Sequence, residues 1–511
     1  MTSDPVVPPP FGQVPDSNGA ETSPGILSWE MALPGLSLPG LGLNSTPTPI
    51  YGGPVPPPSE QIARREDLPP QAEWRFEAAF SQQYTIRVLH GHAELFGVEL
   101  ANNQAYNLSG CKGAVFTWQG CQLDVTGEAE SEYAAQETEY AVEWLSLHGM
   151  LETARDDRPN DGPRVLLVGP DHTGKSSLAR TLAAWAVRTA RTPTVVNLDP
   201  REGLLAPPSS LTAVTVGSQM DVENGFGISP ISGPTITAVK TPLIYHYPYS
   251  SPTDRPALYK ALLTRIALGT INKLEEDPSA KQSGILIDTP GTLNDPKTGY
   301  EALHHLVSEF SITLIITLGS ERLYNDLHRR YVAGKSADEA LPVLKLAKPG
   351  GAIERDAGYM KQLRTRQIRQ YFFGTAREAL NPHSHMLGFD DMTVYRARPT
   401  STDNAEKTSF GAVEEDDYDP SGNSSTVSAN AVFEKVAPSV AMMGSTIAIK
   451  FCPANSEEYT VRDSAVMGYL YVADVDEARK KVRFLAPHPQ RWGDRALVWG
   501  QWPEAVADLV T

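Results

Sequence analysis

The chain is poor in the features that mark secreted, membrane-spanning and nucleic-acid-coating proteins. It has 3 cysteines in 511 residues, and Cys111, Cys121 and Cys452 form neither a CxxC pair nor an even-numbered framework. That count excludes a disulfide scaffold and a structural zinc site, and leaves core or surface thiols. No apolar run approaches the roughly 20 residues a membrane-spanning helix needs. The N-terminus lacks a basic start, and its weakly apolar stretch 27–43 is broken by Pro34 and Pro39. No secretory signal is therefore expected, and an intracellular location follows. Positive charge is scarce as well: 44 Lys and Arg against 61 Asp and Glu leave a formal charge of -17. Coating nucleic acid without regard to sequence depends on clustered Lys and Arg releasing counterions, so any nucleic-acid role has to be local or indirect.

What is present is enough apolar material for several cores. At 41% hydrophobic residues and a mean hydropathy of -0.29, a chain of this length reads as two or three soluble domains plus tails. Residues 1–65 carry proline runs at Pro8-Pro9-Pro10 and Pro56-Pro57-Pro58, cannot repay the entropy of ordering, and read as a disordered leader. Residues 66–150 alternate in short segments (84–88, 93–98, 114–118, 122–125), the pattern of a small β domain. Residues 151–380 alternate strand with helix. Stretches 165–168, 194–198, 285–287 and 312–317 read as buried strands, and 177–188, 256–276 and 300–310 as helices, which predicts an α/β domain built on a doubly wound parallel sheet. Residues 381–511 read as a C-terminal β-rich domain with candidate strands at 392–395, 446–451, 464–472 and 482–484. It is interrupted near 400–430 by an acidic, Ser-rich insertion containing Glu414, Glu415, Asp416 and Asp417.

One motif gives the central domain a chemistry. Gly169-Pro170-Asp171-His172-Thr173-Gly174-Lys175-Ser176 fits GxxxxGK[ST] and lies after an apolar strand and before a helix. Such a loop turns successive backbone N–H groups toward phosphate oxygens at a helix N-terminus; Lys175 reaches the β and γ phosphates and Ser176 supplies a Mg²⁺ ligand. An α/β P-loop NTPase domain holding ATP and Mg²⁺ is expected. Asp199 and Asp288 follow strands 194–198 and 285–287, where carboxylates face the ligand crevice of a parallel sheet, so each is a candidate for the metal side; a turn or helix-cap Asp is the alternative at each. Downstream of Lys348-Pro349-Gly350-Gly351, the cluster Arg355, Lys361, Arg364, Arg366 and Arg369 reads either as a lid closing arginines over phosphate or as a solvated helix face.

The order of β domain, P-loop domain and β domain carries a family resemblance. So do the segments Glu73-Trp74-Arg75-Phe76, Ala93-Glu94-Leu95-Phe96-Gly97, Ala114-Val115-Phe116-Thr117-Trp118, 169–177, Glu321-Arg322-Leu323-Tyr324-Asn325 and Gly350-Gly351-Ala352-Ile353-Glu354-Arg355. From about Ala72 to the C-terminus the chain resembles the eukaryotic polynucleotide 5′-hydroxyl kinase-like family. Within that family it is similar to the fungal form of the P-loop subunit of the mRNA cleavage and polyadenylation machinery, cleavage factor IA.

The resemblance implies that Glu73 accepts from the adenine amino group, that Lys112 lies against the base, and that His172, Thr173, Gly174, Lys175, Ser176 and Ser177 hold the phosphates. The family's kinases transfer the ATP γ-phosphate to the 5′-hydroxyl of RNA, and here Asp199 matches their base, with Arg355 and Arg364 at lid positions. Three matches fail. Pro200-Arg201-Glu202 stands where active members carry a glycine and a glutamine after the Asp. Asp288-Thr289-Pro290-Gly291-Thr292 stands in place of Asn-Thr-x-Gly-Trp, and Met360 occupies a position usually held by Arg. The missing Trp alone removes a stacking platform worth about 1–3 kcal/mol per base.

The resemblance thus implies a degenerate kinase site that keeps ATP. The expected role is a nuclear scaffold subunit of pre-mRNA 3′-end cleavage and polyadenylation, with ATP as a structural ligand and little or no turnover. It would be monomeric within a hetero-complex, docked by the large polymerase-contacting subunit of cleavage factor IA and other 3′-end processing subunits, and would meet RNA indirectly or weakly. The alternative is an active RNA 5′-hydroxyl kinase with Asp199 as base, Lys175 and Arg355 on the phosphates and Mg²⁺ on Ser176. A GTPase is weaker, since no N/T-K-x-D base-recognition sequence accompanies the loop.

Overall fold

The computed structural model describes residues 63–223, 242–336, 338–375, 379–398, 432–489, 492, 494–507 and 509. The leader, except for its last three residues, and the whole acidic insertion near 400–430 lie outside the described residues.

In the N-terminal region, alternation creates the fold. Tyr84, Ile86 and Val88 of strand Tyr84–Gly91, and Cys121, Leu123 and Val125 of strand Cys121–Thr126, are buried while their neighbours are not. These strands are the centre of a 4-stranded antiparallel sheet flanked by Arg64–Leu68 and Ala105–Leu108. A 5-stranded antiparallel sheet in the order Val98–Glu99, Glu94–Leu95, Cys111–Thr117, Ala72–Ala78, Ser131–Ala135 supplies the other layer. Trp74, Phe76, Tyr84, Leu95 and Val115 share the core between them. Strand Ala72–Ala78 is buried on both faces, which takes Glu73 and Arg75 out of solvent. Tyr140 and the Gly350-Gly351 turn cover that second face.

A 19-residue helix, Glu139–Asp157, runs through the expected junction at residue 150. It lays Trp144, Leu147 and Leu151 onto the core of the central domain. The central sheet has 7 strands in the order Leu243–His246, Ser210–Thr215, Thr194–Asn197, Ile285–Asp288, Arg164–Val168, Leu314–Leu318, Val343–Leu346. From Thr194–Asn197 onward neighbours are parallel, the doubly wound arrangement expected. Two antiparallel strands, Ser210–Thr215 and Leu243–His246, extend one edge and make the sheet mixed. Every residue of Ser210–Thr215 is buried, so that strand carries no alternation to betray it. Helices Glu139–Asp157 and Lys175–Arg188 cover one face; Pro256–Glu276, Glu301–Glu309 and Glu321–Tyr331 cover the other. Pro256–Glu276 begins with a proline whose missing N–H costs nothing in a first turn.

The C-terminal sheet also has 7 strands, His383–Gly388, Lys481–Ala486, Val466–Asp476, Thr446–Pro453, Arg495–Trp499, Thr393–Ala397, Phe433–Val436. One face has its own core around Ile447, Phe484, Trp492 and Leu497. The other merges with the central domain, Tyr469 and Tyr471 packing on Tyr371 and Phe372 of helix Ala357–Phe373. No helix among the described residues is long and apolar enough to cross a membrane.

Candidate nucleotide site

Strand Arg164–Val168 ends at Gly169, whose φ of +153° lies in a region side chains avoid; a Cβ there would sit 2.4 Å from the Leu318 carbonyl. The loop then rises to Gly174 (φ +89°), the residue before helix Lys175–Arg188. No side chain caps that helix, so its first amides point into the crevice as an anion site. Asn294 holds the loop from outside, donating to the Gly169 carbonyl at 2.6 Å, and Thr173 closes it from within, donating to the Pro170 carbonyl at 2.9 Å.

Lys175 is buried and bonds through Nζ to the Gly169 and Pro170 carbonyls at 2.8 and 2.7 Å. Burial lowers its pKa, although the charges of Asp288, Asp171 and Asp199 pull the other way. Asp288 ends its strand beside Ser176. Burial pushes its carboxyl up to about 6, against the Lys175 charge and a bond from Ser176, and its Oδ1 has no partner. A buried carboxylate with an open oxygen beside a hydroxyl and below a ring of amides fits a Mg²⁺–nucleotide. Among the described residues no group of three or more His, Cys, Asp or Glu converges as a metal cage.

Across the crevice the picture changes. Asp199 accepts from the Arg201 backbone N–H at 2.9 Å and from its guanidinium at 2.7 to 3.2 Å. The same guanidinium grips Asp171 at 2.7 and 3.1 Å. Burial alone would raise the Asp171 pKa, but Arg201's bonds and charge bring it down to about 2; burial likewise opposes Arg201's charge, and the two carboxylates override it. Glu202 pairs with Arg355, whose pKa its charge raises. Burial works against the Glu202 carboxylate, yet Arg355, Arg180 and Arg201 bring it to about 2.

A cavity of about 660 Å³ joins these parts. Asp171 to Ser177, Asp199, Arg355, Met360, Lys361 and Arg364 line it, together with Lys112 from the N-terminal domain and Glu504 from the C-terminal one. Asp288 lies just beyond, on a small cleft shared with Ser176, Asp199 and Glu202. A second cavity of about 90 Å³, walled by Phe96, Lys112, Phe116, Tyr140 and Ala352, adjoins Gly174 and Ser177. Lys112 also pairs with Glu77 at 2.7 Å and sits 5.0 Å above the Tyr359 ring. Glu73 is wholly buried behind this wall, its carboxylate taken by Arg75 and by the Tyr140 hydroxyl at 2.5 Å.

The basic cluster divides by exposure. Arg355, Arg364 and Arg366 face inward, whereas Lys361 and Arg369 are exposed. Thr292, in the missing tryptophan's position, leaves its Oγ1 without a partner, as His172 leaves its Nδ1. Burial lowers the His172 pKa, with Arg355 adding to it.

Several participants escaped the sequence. Arg180, on the wall of both the large cavity and the cleft, lies one helical turn past Ser176, a spacing that could have pointed to it. Nothing local pointed to Asn294 or Glu504.

Strand, loop, buried lysine and uncapped helix define a P-loop nucleotide-binding protein. Three family models align along the chain: the N-terminal beta-sandwich domain of polyadenylation factor over residues 67–158, the mRNA cleavage and polyadenylation factor CLP1 P-loop over 169–374, and the pre-mRNA cleavage complex II protein Clp1 over 380–504. The mRNA cleavage and polyadenylation factor CLP1 of Phaeosphaeria nodorum is 43% identical over 481 residues, covering 93% of this chain and 100% of its own; that of Botryotinia fuckeliana is 40% identical over the same coverage. The chain belongs to the mRNA cleavage and polyadenylation factor CLP1 family. In fold it is similar to a solved wild-type Clp1p–Pcf11p (454–563) complex, with a TM-score of 0.75 at 23% identity over 87% of this chain and 98% of that one. A structure of an extended Pcf11p–Clp1p interface, concerned also with ATP loss in a point mutant, has a TM-score of 0.74 at 23% identity and covers 87% and 99%.

Proposed function

We propose that this chain is an ATP-holding scaffold subunit of the nuclear pre-mRNA 3′-end cleavage and polyadenylation machinery, retaining its nucleotide with little or no turnover. In this reading, the amides of the loop and helix start, with His172, Thr173, Lys175 and Ser177, bind the triphosphate. Ser176 and Asp288 hold Mg²⁺, which supplies charge neutralisation of the phosphates. Lys112 and the aromatic wall of the smaller cavity take the base, and Glu73 shapes that wall through Tyr140. A ligand bound only by the folded state stabilises it by mass action, which gives retention without hydrolysis a purpose.

The observation that carries the proposal is the pair of internal locks on the acceptor side. A general base needs a free carboxylate within reach of the proton it takes, and Asp199 spends both oxygens on Arg201. An arginine finger must be free to follow developing charge, and Arg355 is paired with Glu202. The solved neighbours' complexes with Pcf11p support a Pcf11p-like large subunit as the docking partner of a chain that is monomeric within the hetero-complex. The formal charge of -17 favours a protein over an RNA partner.

The kinase alternative draws on one observation, the presence of Asp199, Arg355 and Arg364 on the same cavity wall. Denaturing the purified protein and quantifying released nucleotide tests the proposal. About one ATP per chain is expected, and a nucleotide-free protein would contradict it. A 5′-hydroxyl oligoribonucleotide that gains phosphate, in a manner lost in Lys175→Ala, would establish the kinase instead.

A further inference from the structure

Helix Ala357–Phe373 roofs the large cavity with Tyr359, Met360, Leu363 and Arg364. On one flank it is fastened to the N-terminal domain: the Tyr359 hydroxyl donates to the Gly110 carbonyl at 3.1 Å, and Arg366 donates to the Ser109 carbonyl. On the other flank it meets a short piece of the C-terminal domain. Arg364, only 7% exposed, forms a two-pronged pair with Glu504, one prong being Nε to Oε2 at 2.9 Å, and its guanidinium lies 4.5 Å from the Trp502 ring centre. The Trp502 indole N–H in turn points at the Pro200 carbonyl at 3.5 Å, although 302 positions separate the two residues. Pro200 stands between Asp199 and Arg201, so this one segment touches both the roof and the turn that locks the acceptor side.

We infer that Trp502 and Glu504 are positioning residues that latch the roof helix over the nucleotide and set the rate at which it leaves. A ligand beneath a roof departs only when the roof lifts, and contacts present in the closed state alone slow departure far more than they alter arrival. The flank facing the C-terminal domain combines a charge-assisted two-pronged pair with a cation over an indole, both on a guanidinium largely removed from water. The opposite flank has single bonds to backbone carbonyls and contacts of Lys112 and Phe80 with the Tyr359 ring but, among the described residues, no two-pronged ion pair. The C-terminal domain thereby acquires a function at a site from which it contributes no phosphate ligand.

The inference rests on the ATP-holding role, and the experiment separates the two. Full-length protein is loaded with labelled ATP and Mg²⁺, chased with excess unlabelled ATP, and the retained label followed in time; association is measured in parallel. Glu504→Gln and Trp502→Leu are each expected to release ATP about tenfold faster, with association changed by no more than about twofold. Glu434→Gln, which breaks an ion pair with Arg396 on an edge strand of the same domain, serves as the control and is expected to release at the wild-type rate. Wild-type release from both latch variants overturns the latch and leaves the ATP-holding role standing. Faster release from all three variants, with an equal loss of nucleotide-free melting temperature, overturns it as general loosening. A wild-type protein that takes up no ATP overturns both proposals. Glu504→Gln preserves size and shape, so it decides the matter if Trp502→Leu does not fold.

Discussion

Along the loop from Gly169 to Ser176, the site's positive potential meets only weak internal partners: Lys175 bonds to backbone carbonyls, the helix start has no cap, and Asp288 keeps an open oxygen. Further along the same cavity, charged groups next to Asp199 pair with opposite charges within the chain. Arg201 lies between Asp171 and Asp199, and Glu202 holds Arg355. The first arrangement suits a ligand that brings its own negative charge. The second already engages Asp199 and Arg355 with charges of the chain itself. Under the proposed retention of ATP without transfer, binding and chemistry are separated within one crevice. In that reading Arg201 and Glu202, which follow Asp199 closely in the chain, each neutralise a group the transfer reaction would need free.

Damage to the binding half has the largest expected effect. Lys175→Ala is expected to weaken ATP binding about 100-fold, roughly the worth of two charge-assisted phosphate contacts, as read by calorimetric titration. Damage to the locked half should appear as lost stability. Glu202→Ala leaves the Arg355 guanidinium unpaired in a largely desolvated position, and the unliganded protein should lose about 2 kcal/mol in urea denaturation, less than a fully buried pair because both partners retain some solvent.

The two halves also differ in the sign of their pH dependence. The Asp288 pKa is raised in the folded protein from 3.8 to about 6 by burial, so its penalty is absent below pH 4, grows as pH rises toward 6 and is complete above it. Asp288→Asn should therefore stabilise the unliganded protein at pH 7 by about 1–2 kcal/mol, with the gain vanishing by pH 4. Asp171 and Glu202, brought down to about 2 from 3.8 and 4.5, behave oppositely: their stabilisation is present above pH 5 and is lost as pH falls toward 2. Removing the Arg201 clamp with Arg201→Met should flatten the acid limb of the urea stability curve by about 1 kcal/mol. At the small end, Arg369→Ala, on the solvated side of the roof helix, should change urea stability by less than about 0.5 kcal/mol.

Where the chain signals locally, sequence and structure agree. The phosphate loop was legible because glycine at 169 and 174, a lysine and a serine are each demanded by backbone or charge, and strand 165–168 is uniformly apolar. The helix expected over 256–276 occurs as Pro256–Glu276, its start marked by proline. Strands Ser210–Thr215 and Leu243–His246 were not legible, since nearly uniform burial on both faces of the sheet leaves them no alternation. At the site, the substitutions at Arg201 and Glu202 were visible, but the clamp on Asp199 and Asp171 was not. Side chains two residues apart in a turn can point anywhere until the turn is fixed. Trp502 and Glu504 reach the site only through tertiary packing.

Retention without transfer is read from the fate of one bound nucleotide. Protein carrying stoichiometric γ-labelled ATP and Mg²⁺ would be incubated for hours with a 5′-hydroxyl oligoribonucleotide, then quenched and resolved into ATP, free phosphate and labelled RNA. Label remaining in intact, protein-bound ATP is the predicted result; label on the RNA or released as phosphate would contradict it.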